Sequence, residues 1–504
     1  MPPRELPNQL GPLDAAFLNF ERRELPLHIG SVSICDGPLP FAGFVAGMER
    51  KLDLLPRYRQ KAVRPFLNVG PPTWQYDLKF DIRRHIFHVT LDAPATDVQL
   101  RELAGRIFTS LLDRGKPLWE VYIVDGLAGG RSAIVTKVHH AMVDGVSGVG
   151  LLNVMFDPSP EAAPVPKGAP RRKRHRPPPP DETQTFTSAL KGAFQSTLDQ
   201  LAGAGKSLAA YGTSLLRDSQ AVAGLERLVD ALPQVLGPLE RLPFNRPCSG
   251  ERKVAWSEHS FTDARAIRTA LGGTVNDVVL TVLAGAVMRY LKLHNESLGN
   301  RFFRVMVPVN LRPAGDRATF GNCVSILPVT LPLFIEDPVE RLRRISAQTG
   351  AMKDARMAEL IWAGILWLGA LPPPLQALAG SLSLYSTPVP IMHMVATNVP
   401  GPQVPLYANG RRLLTMYPFV PAGWDLGITL AIQSYDGRLF FSFTIDAQAA
   451  PDGERMKEFL DASFVELCKA ARVPGTEPAA KTKRPPRRRW PHAQSAARVP
   501  GRAE

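Results

Sequence analysis

Branched apolar and polar positions alternate along Ala133-Ile134-Val135-Thr136-Lys137-Val138, the period-two signature of a strand. The glycine-containing stretch Gly145-Val146-Ser147-Gly148-Val149 predicts a turn into a helix over Leu151-Leu152-Asn153-Val154-Met155-Phe156. Between Phe186 and Leu236, Leu190, Phe194, Leu198, Leu201, Leu208 and Leu216 recur at helical spacing, which predicts amphipathic helices. Thr274 and Asp277 form a capping box, followed by an apolar helix face at Val275, Val278, Val279, Val282, Ala286 and Tyr290. Strands are expected at Ile391–Thr397, Asp425–Tyr435 and Leu439–Thr444, the last two joined by the Asp436-Gly437 hairpin turn, and Asn398-Val399-Pro400-Gly401-Pro402 reads as a loop.

Composition narrows the class. The 504 residues are 45% hydrophobic, enough for a substantial core in two or more domains. Cys35, Cys248, Cys323 and Cys468 lie far apart without Cys-x-x-Cys spacing, so neither a disulfide framework nor a zinc site is indicated, and a reducing compartment is expected. Residues 1–30 hold no cationic region followed by an apolar core, hence no secretory signal is read there. No run of about 18 apolar residues occurs. Leu360–Leu371, with Trp362 and Trp367, is stopped by Pro372 and is read as an interfacial segment, an acyl-tunnel wall or a buried helix.

The net charge of +14 is concentrated in two places. Lys167, Arg171, Arg172, Lys173, Arg174 and Arg176 precede Pro177–Pro180, a stiff linker, and a second basic stretch runs from Arg472 to Glu504. Together they hold +13, which leaves the rest close to neutral. Nucleic-acid binding would need a basic face on folded structure and is not expected; basic segments of this kind suit an anionic membrane or lipid surface, or are simply solvated.

The stretch with the most chemistry is His139-His140-Ala141-Met142-Val143-Asp144-Gly145, two imidazoles and a carboxylate between a strand and a helix. Strand neighbours point to opposite faces, so the two histidines have different tasks. An imidazole with a pKa near 6.5 suits general-base catalysis on an alcohol or thiol. The plainer reading is a hydrogen-bonded structural pair. No His or Cys cluster completes a metal site, so no metal is expected.

This run resembles the His-His-x-x-x-Asp-Gly signature of CoA-dependent acyltransferases related to chloramphenicol acetyltransferase and to peptide-synthetase condensation domains. Further stretches narrow the branch: Leu13–Leu18, Pro117-Leu118-Trp119-Glu120, Asn276-Asp277, Val307–Arg312 and Asn398-Val399-Pro400-Gly401-Pro402. In this order they resemble the bacterial wax ester synthase/acyl-CoA:diacylglycerol acyltransferase family, over about residues 4 to 470.

The resemblance implies a mixed α/β fold of two chloramphenicol-acetyltransferase-like domains, 1–165 and 246–470, with the active site at their interface. Residues 166–245 would be a basic linker with amphipathic helices and 471–504 a basic disordered tail. It further implies that His140 is the general base and that His139 and Asp144 orient the loop. Gly145 would allow close backbone approach, and Asn276 would hold the substrate carbonyl or oxyanion, although as residues alone Asn276-Asp277 reads as a cap. Asn398, Pro400, Gly401 and Pro402 would shape a substrate channel, with Pro117, Leu118, Trp119 and Asp277 structural. Acyl-CoA would be a substrate, with no cofactor, and diacylglycerol or a long-chain alcohol the acceptor. The expected location is cytoplasmic, peripheral to the inner membrane or lipid droplets. A carrier-protein-dependent condensation-type transferase and a non-catalytic lipid-binding protein are the rival readings.

Overall fold

The computed structural model describes residues 9–64, 72–142, 155–161, 239–311, 324–362 and 392–473, with isolated positions between 202 and 237. Asp144, Gly145, the helix expected over Leu151–Phe156 apart from its last two residues, the basic stretch from Lys167 to Arg176, the basic tail beyond Val473, and most of the Phe186–Leu236 and Leu360–Leu371 segments lie outside these residues.

In chain order the elements of the first half are α1 (Pro12–Phe20), β1 (His28–Cys35), α2 (Phe41–Lys51), β2 (Gln60–Val63), β3 (Thr73–Tyr76), β4 (Ile86–Thr90), α3 (Asp97–Thr109), β5 (Trp119–Leu127) and β6 (Arg131–His139). The second half holds β7 (Arg252–Ser260), α4 (Phe261–Leu271), α5 (Val275–Leu293), β8 (Phe302–Asn310), β9 (Val324–Pro332), α6 (Pro338–Asp354), β10 (Met394–Pro400), β11 (Tyr407–Ala408), β12 (Arg411–Arg412), β13 (Tyr417–Phe419), β14 (Ile428–Tyr435), β15 (Arg438–Asp446) and α7 (Arg455–Ala470).

Two mixed sheets organise these elements, in the orders β13-β1-β6-β5-β4 and β7-β15-β14-β10-β8-β9. Parallel pairs, β4 with β5 and β10 with both β8 and β14, sit among antiparallel ones, as the mixed α/β expectation required. The strand expected over Ala133–Val138 is confirmed as β6, which begins two residues earlier, at Arg131, and ends one later, at His139. Asp436 and Gly437 both adopt positive φ, 46° and 76°, the backbone an Asp-Gly two-residue hairpin demands.

Three expectations are corrected. Asp425 does not begin β14, which starts at Ile428; Asp425 instead pairs with Arg241 at 2.5 Å. Asn398, Val399 and Pro400 belong to strand β10, in register with Ile432, Gln433 and Ser434 of β14, and the loop begins only at Gly401. Pro400 ends the strand, where its missing N–H costs the ladder little. Leu242 and Phe244, expected in the linker, are buried in the second core.

The halves exchange structure. β13 comes from the second half yet pairs with β1 of the first, Gly30 facing Phe419 and Val32 facing Tyr417. Ala408, Leu413 and Met416 of the same crossover, with Tyr435 and Phe440, are buried in the first half's core. Tyr417 stacks on Trp256 of β7 at 4.6 Å between centroids. Cutting the chain at residue 246 therefore does not separate two cores. Helix α5 is apolar on nearly every side and fully buried along most of its length, the pattern of a helix at the centre of a core. Among the described residues no single helix is long and apolar enough to cross a membrane.

Candidate active site

β6 carries the His pair to its edge and stops. His139 is its last residue, paired with His28 of β1, and His140 opens a short 3-10 turn to Met142. Both histidine N–H groups are tied to neighbouring chain: His139 N donates to Leu118 O at 2.9 Å and His140 N to Leu27 O at 2.9 Å. The turn is thus anchored on two sides before any side chain is considered.

The two rings face different surroundings, as neighbours on a strand should. His139 is fully buried. Its Nδ1 accepts from Ala141 N at 3.0 Å, which leaves the ring proton on Nε2, 3.3 Å from Glu21 Oε1. Burial alone would raise the Glu21 carboxyl, but the hydrogen bonds from His139 and Arg114 and the charge of Arg114 outweigh it and bring the pKa down to about 2. Glu21 also accepts from Leu27 N at 3.2 Å and from Arg114 Nη2 at 2.9 Å. His139 therefore holds its orientation against a buried anion.

His140 is half-buried and packs on Phe17 of α1, with ring centroids 4.0 Å apart. Its Nδ1 is enclosed without a hydrogen-bond partner among the described residues. Desolvation lowers its pKa to about 4, against a smaller upward pull from its own carbonyl. At neutral pH this ring is uncharged and able to accept a proton.

The Pro117-Leu118-Trp119-Glu120 stretch is the scaffold under the turn. Leu118 supplies the carbonyl that holds His139, and Pro117 is buried beside it. Trp119 is fully buried, donates Nε1 to Tyr58 O at 2.8 Å and stacks on His85 at 4.4 Å. Glu120 accepts from Tyr122 at 2.8 Å and Lys116 at 3.2 Å, and lies 3.9 Å from buried Lys137. Lys137 in turn donates to the carbonyls of Ile107 and Ser110 at the end of α3, satisfying groups that a helix C-terminus leaves open. Burial draws its pKa down to about 8 despite Glu120.

The second-half residues divide between scaffold and surface. Asp277 is buried and completes the capping box: Oδ2 accepts from Thr274 N and Oγ1, both at 2.8 Å, and Oδ1 from Thr349 Oγ1 of α6 at 2.7 Å. Asn276, one residue earlier, is half-buried, and its carboxamide makes no hydrogen bond among the described residues. Asp277 is thus committed to the helix start and to α6, and Asn276 is not. Asn398 is half-buried on β10, while Pro400 and Pro402 are exposed. Gly401 is explained by packing alone, since a Cβ there would lie 2.2 Å from Ser434 O. No hydrogen bond among the described residues joins Asn276 or Asn398 to His140.

Sequence reading missed Glu21 and what holds it. Glu21-Arg22-Arg23-Glu24 looks like a solvated charge run, and only the fold turns Glu21 inward. The chain just beyond it is clamped by the second half: Arg252, whose side chain is fully buried with that of Asp446, ion-pairs with it and donates Nη2 to Glu24 O at 3.0 Å and Ala422 O at 2.6 Å. Gly250 is required there, because a Cβ would meet Arg23 O at 2.4 Å.

Comparison with known proteins identifies the family and the fold. Residues 10–279 match the wax ester synthase/diacylglycerol acyltransferase catalytic domain, and residues 320–468 the WS/DGAT C-terminal domain. The chain belongs to the wax ester synthase/diacylglycerol acyltransferase family. Among relatives of this acyltransferase, a Mycobacterium tuberculosis protein named diacylglycerol O-acyltransferase tgs2 is 32% identical over 471 residues, covering 92% of this chain and 99% of the relative. Another from that organism, named diacylglycerol O-acyltransferase tgs1, is 29% identical over 468 residues, with 91% and 96% covered. The wax ester synthase/diacylglycerol acyltransferase of Marinobacter aquaeolei VT8 has the same fold, with a TM-score of 0.62 at 23% identity and 92% and 100% of the two chains covered. The fold extends to the first condensation domain of the calcium-dependent antibiotic synthetase, TM-score 0.57 at 14% identity, covering 94% of this chain and 98% of that one.

Proposed function

We propose that this acyltransferase moves a long-chain acyl group from acyl-CoA to the hydroxyl of diacylglycerol, forming triacylglycerol, and to long-chain alcohols, forming wax esters. The observation that carries the reading is His140: a neutral imidazole at a strand end, one nitrogen enclosed and the ring half-open. In the proposed reaction His140 Nε2 accepts the proton of the acceptor hydroxyl as its oxygen forms a bond to the thioester carbonyl carbon. The tetrahedral oxyanion is stabilised by Asn276 and backbone N–H groups. Collapse breaks the carbon–sulfur bond, and the proton on His140 passes to the departing CoA sulfur. No acyl-enzyme and no resident cofactor is needed.

His139 is assigned a positioning role, since its ring is committed to Ala141 N on one side and Glu21 on the other. Asp144 and Gly145 are assigned to loop geometry, and Asn398, Pro400, Gly401 and Pro402 to the wall of a substrate channel between the halves. The acceptors are membrane lipids by chemistry, so the proposal includes peripheral attachment, on the cytoplasmic side, to the inner membrane or lipid droplets. The test is purified protein with palmitoyl-CoA, offered diacylglycerol and hexadecanol in parallel, with thiol release measured and lipid products resolved. Acceptor-dependent CoA release with triacylglycerol or wax ester supports the reading. Absence of release with both acceptors refutes it.

A further inference from the structure

Strands β2 and β3 form a short two-stranded strut, Gln60 facing Tyr76 and Val63 facing Thr73. One end is fixed to the active-site wall: Arg64 donates to Leu18 O of α1 at 3.0 Å, Leu10 N to Pro72 O at 3.0 Å, and α1 carries Phe17, the ring against His140. The other end, four residues or about 13 Å away at about 3.3 Å per residue, opens into a surface knob. The knob is closed on itself by Asp77 N to Arg59 O at 2.9 Å, Phe80 N to Asp77 O at 3.2 Å, and Arg59 over the Phe80 ring.

This knob combines two features that a water-facing surface does not need together. Leu78, Leu54 and Tyr76 are 72%, 49% and 39% exposed. The same surface segment carries Lys79, Arg83 and Arg84, all exposed and without an ion pair among the described residues. Of the nearby acids, Asp53 pairs with Arg59 at 2.9 Å, while Asp77 and Asp81 accept from the backbone N–H of Lys79 and Arg83, both at 3.0 Å, and keep their charge, so cations remain in excess by one. Exposed apolar tips on a surface with a small excess of cations match the chemistry of an anionic lipid–water interface, where apolar side chains enter the acyl boundary and cations meet headgroups.

We propose that the knob at residues 53–59 and 76–84 is the face by which this enzyme docks on an anionic lipid surface. The inference rests on the lipid-acceptor reading above, and the strut then sets the docked surface at a fixed distance from α1 and His140. The basic stretches at 167–176 and 472–504 add a tether, and the knob sets the orientation.

The experiment uses the full chain, so those stretches are present in every arm. Wild type, Leu78→Glu and the triple variant Lys79→Glu/Arg83→Glu/Arg84→Glu are floated with phosphatidylglycerol/phosphatidylcholine vesicles, with melting temperature checked for each. Turnover is read with diacylglycerol in those vesicles and separately with hexanoyl-CoA and hexanol in solution. The expected result is a fall in vesicle partitioning of at least about tenfold for the triple variant, a parallel loss of vesicle-borne turnover, unchanged turnover of the soluble pair and an unchanged melting temperature. Undiminished flotation of both variants, failure of wild type to float, or equal loss on soluble and vesicle-borne substrates overturns the docking face. Variant-sensitive flotation without any acyl transfer by wild type upholds the face and refutes the functional reading instead.

Discussion

Lowering the pH separates a base of ordinary strength from the one this site holds. His140 is drawn from 6.5 to about 4 by desolvation. With a free-enzyme pKa of 4, about 90% of the imidazole is neutral at pH 5; with 6.5, about 3% is, so the two cases differ roughly thirtyfold in active base. The expected outcome is that kcat/KM for palmitoyl-CoA and hexadecanol stays nearly flat from pH 8 to about pH 5 and falls below it. The assay follows CoA thiol release in a constant-ionic-strength buffer series, with wild type and His140→Ala side by side. Stability has to be tracked separately. His85 and His393 are lowered to about 4, and His28 well below its usual value, all chiefly by burial. A neutral buried histidine contributes stability that is complete above the unfolded value near 6.5 and is lost as pH falls towards its folded value. Unfolding therefore encroaches on the same range, and a sample returned to pH 7.5 after each incubation distinguishes reversible titration from lost protein. An acid limb with an apparent pKa of 6 to 7, in protein that recovers full activity on return, would refute the assignment of His140 as a desolvated base.

Replacing His140 by Ala is expected to cost about 10²–10⁴ in turnover with little change in melting temperature, whereas His139→Ala, which strips a partner from buried Glu21, is expected to lower both; kinetics with thermal melts decides. Asn276→Ala is expected to lower kcat by about 10²–10³ at constant melting temperature, and Asp277→Ala to lower melting temperature first, because three hydrogen bonds converge on that buried carboxylate; normal kcat in Asn276→Ala removes it from the mechanism. Arg252→Met leaves Asp446 as a buried anion without its cation and is expected to cost about 3–5 kcal/mol; chemical denaturation measures it, and a loss under 1 kcal/mol means the clamp on the Glu21 segment is not energetically coupled to the fold.

Local pattern was enough for elements whose determinants lie within a few residues. The alternation before His139 specifies β6, the Thr274/Asp277 spacing specifies a helix start, and Asp436-Gly437 specifies a hairpin, since each depends on backbone preference and near-neighbour hydrogen bonds. The contrast between His139 and His140 was also legible, because consecutive strand residues must face opposite ways. Even there, the edges moved: Asn398 and Pro400 looked like loop because Pro-Gly-Pro is a local breaker, but pairing with β14 carries the strand through Pro400.

The sequence by itself determined the alternating strands, the capped helix and the His-His turn, together with the resemblance that named the family. The tertiary structure alone decided which side chains those elements meet. Glu21 reaches His139 across 118 positions, Arg252 grips Glu24 across 228, and β13 crosses from one half to pair with β1 in the other. Such contacts leave no periodicity in the chain. They arise when sheets and helices stack, and burial then makes the pairing of each charge obligatory, because an unpaired charge in that interior costs several kcal/mol.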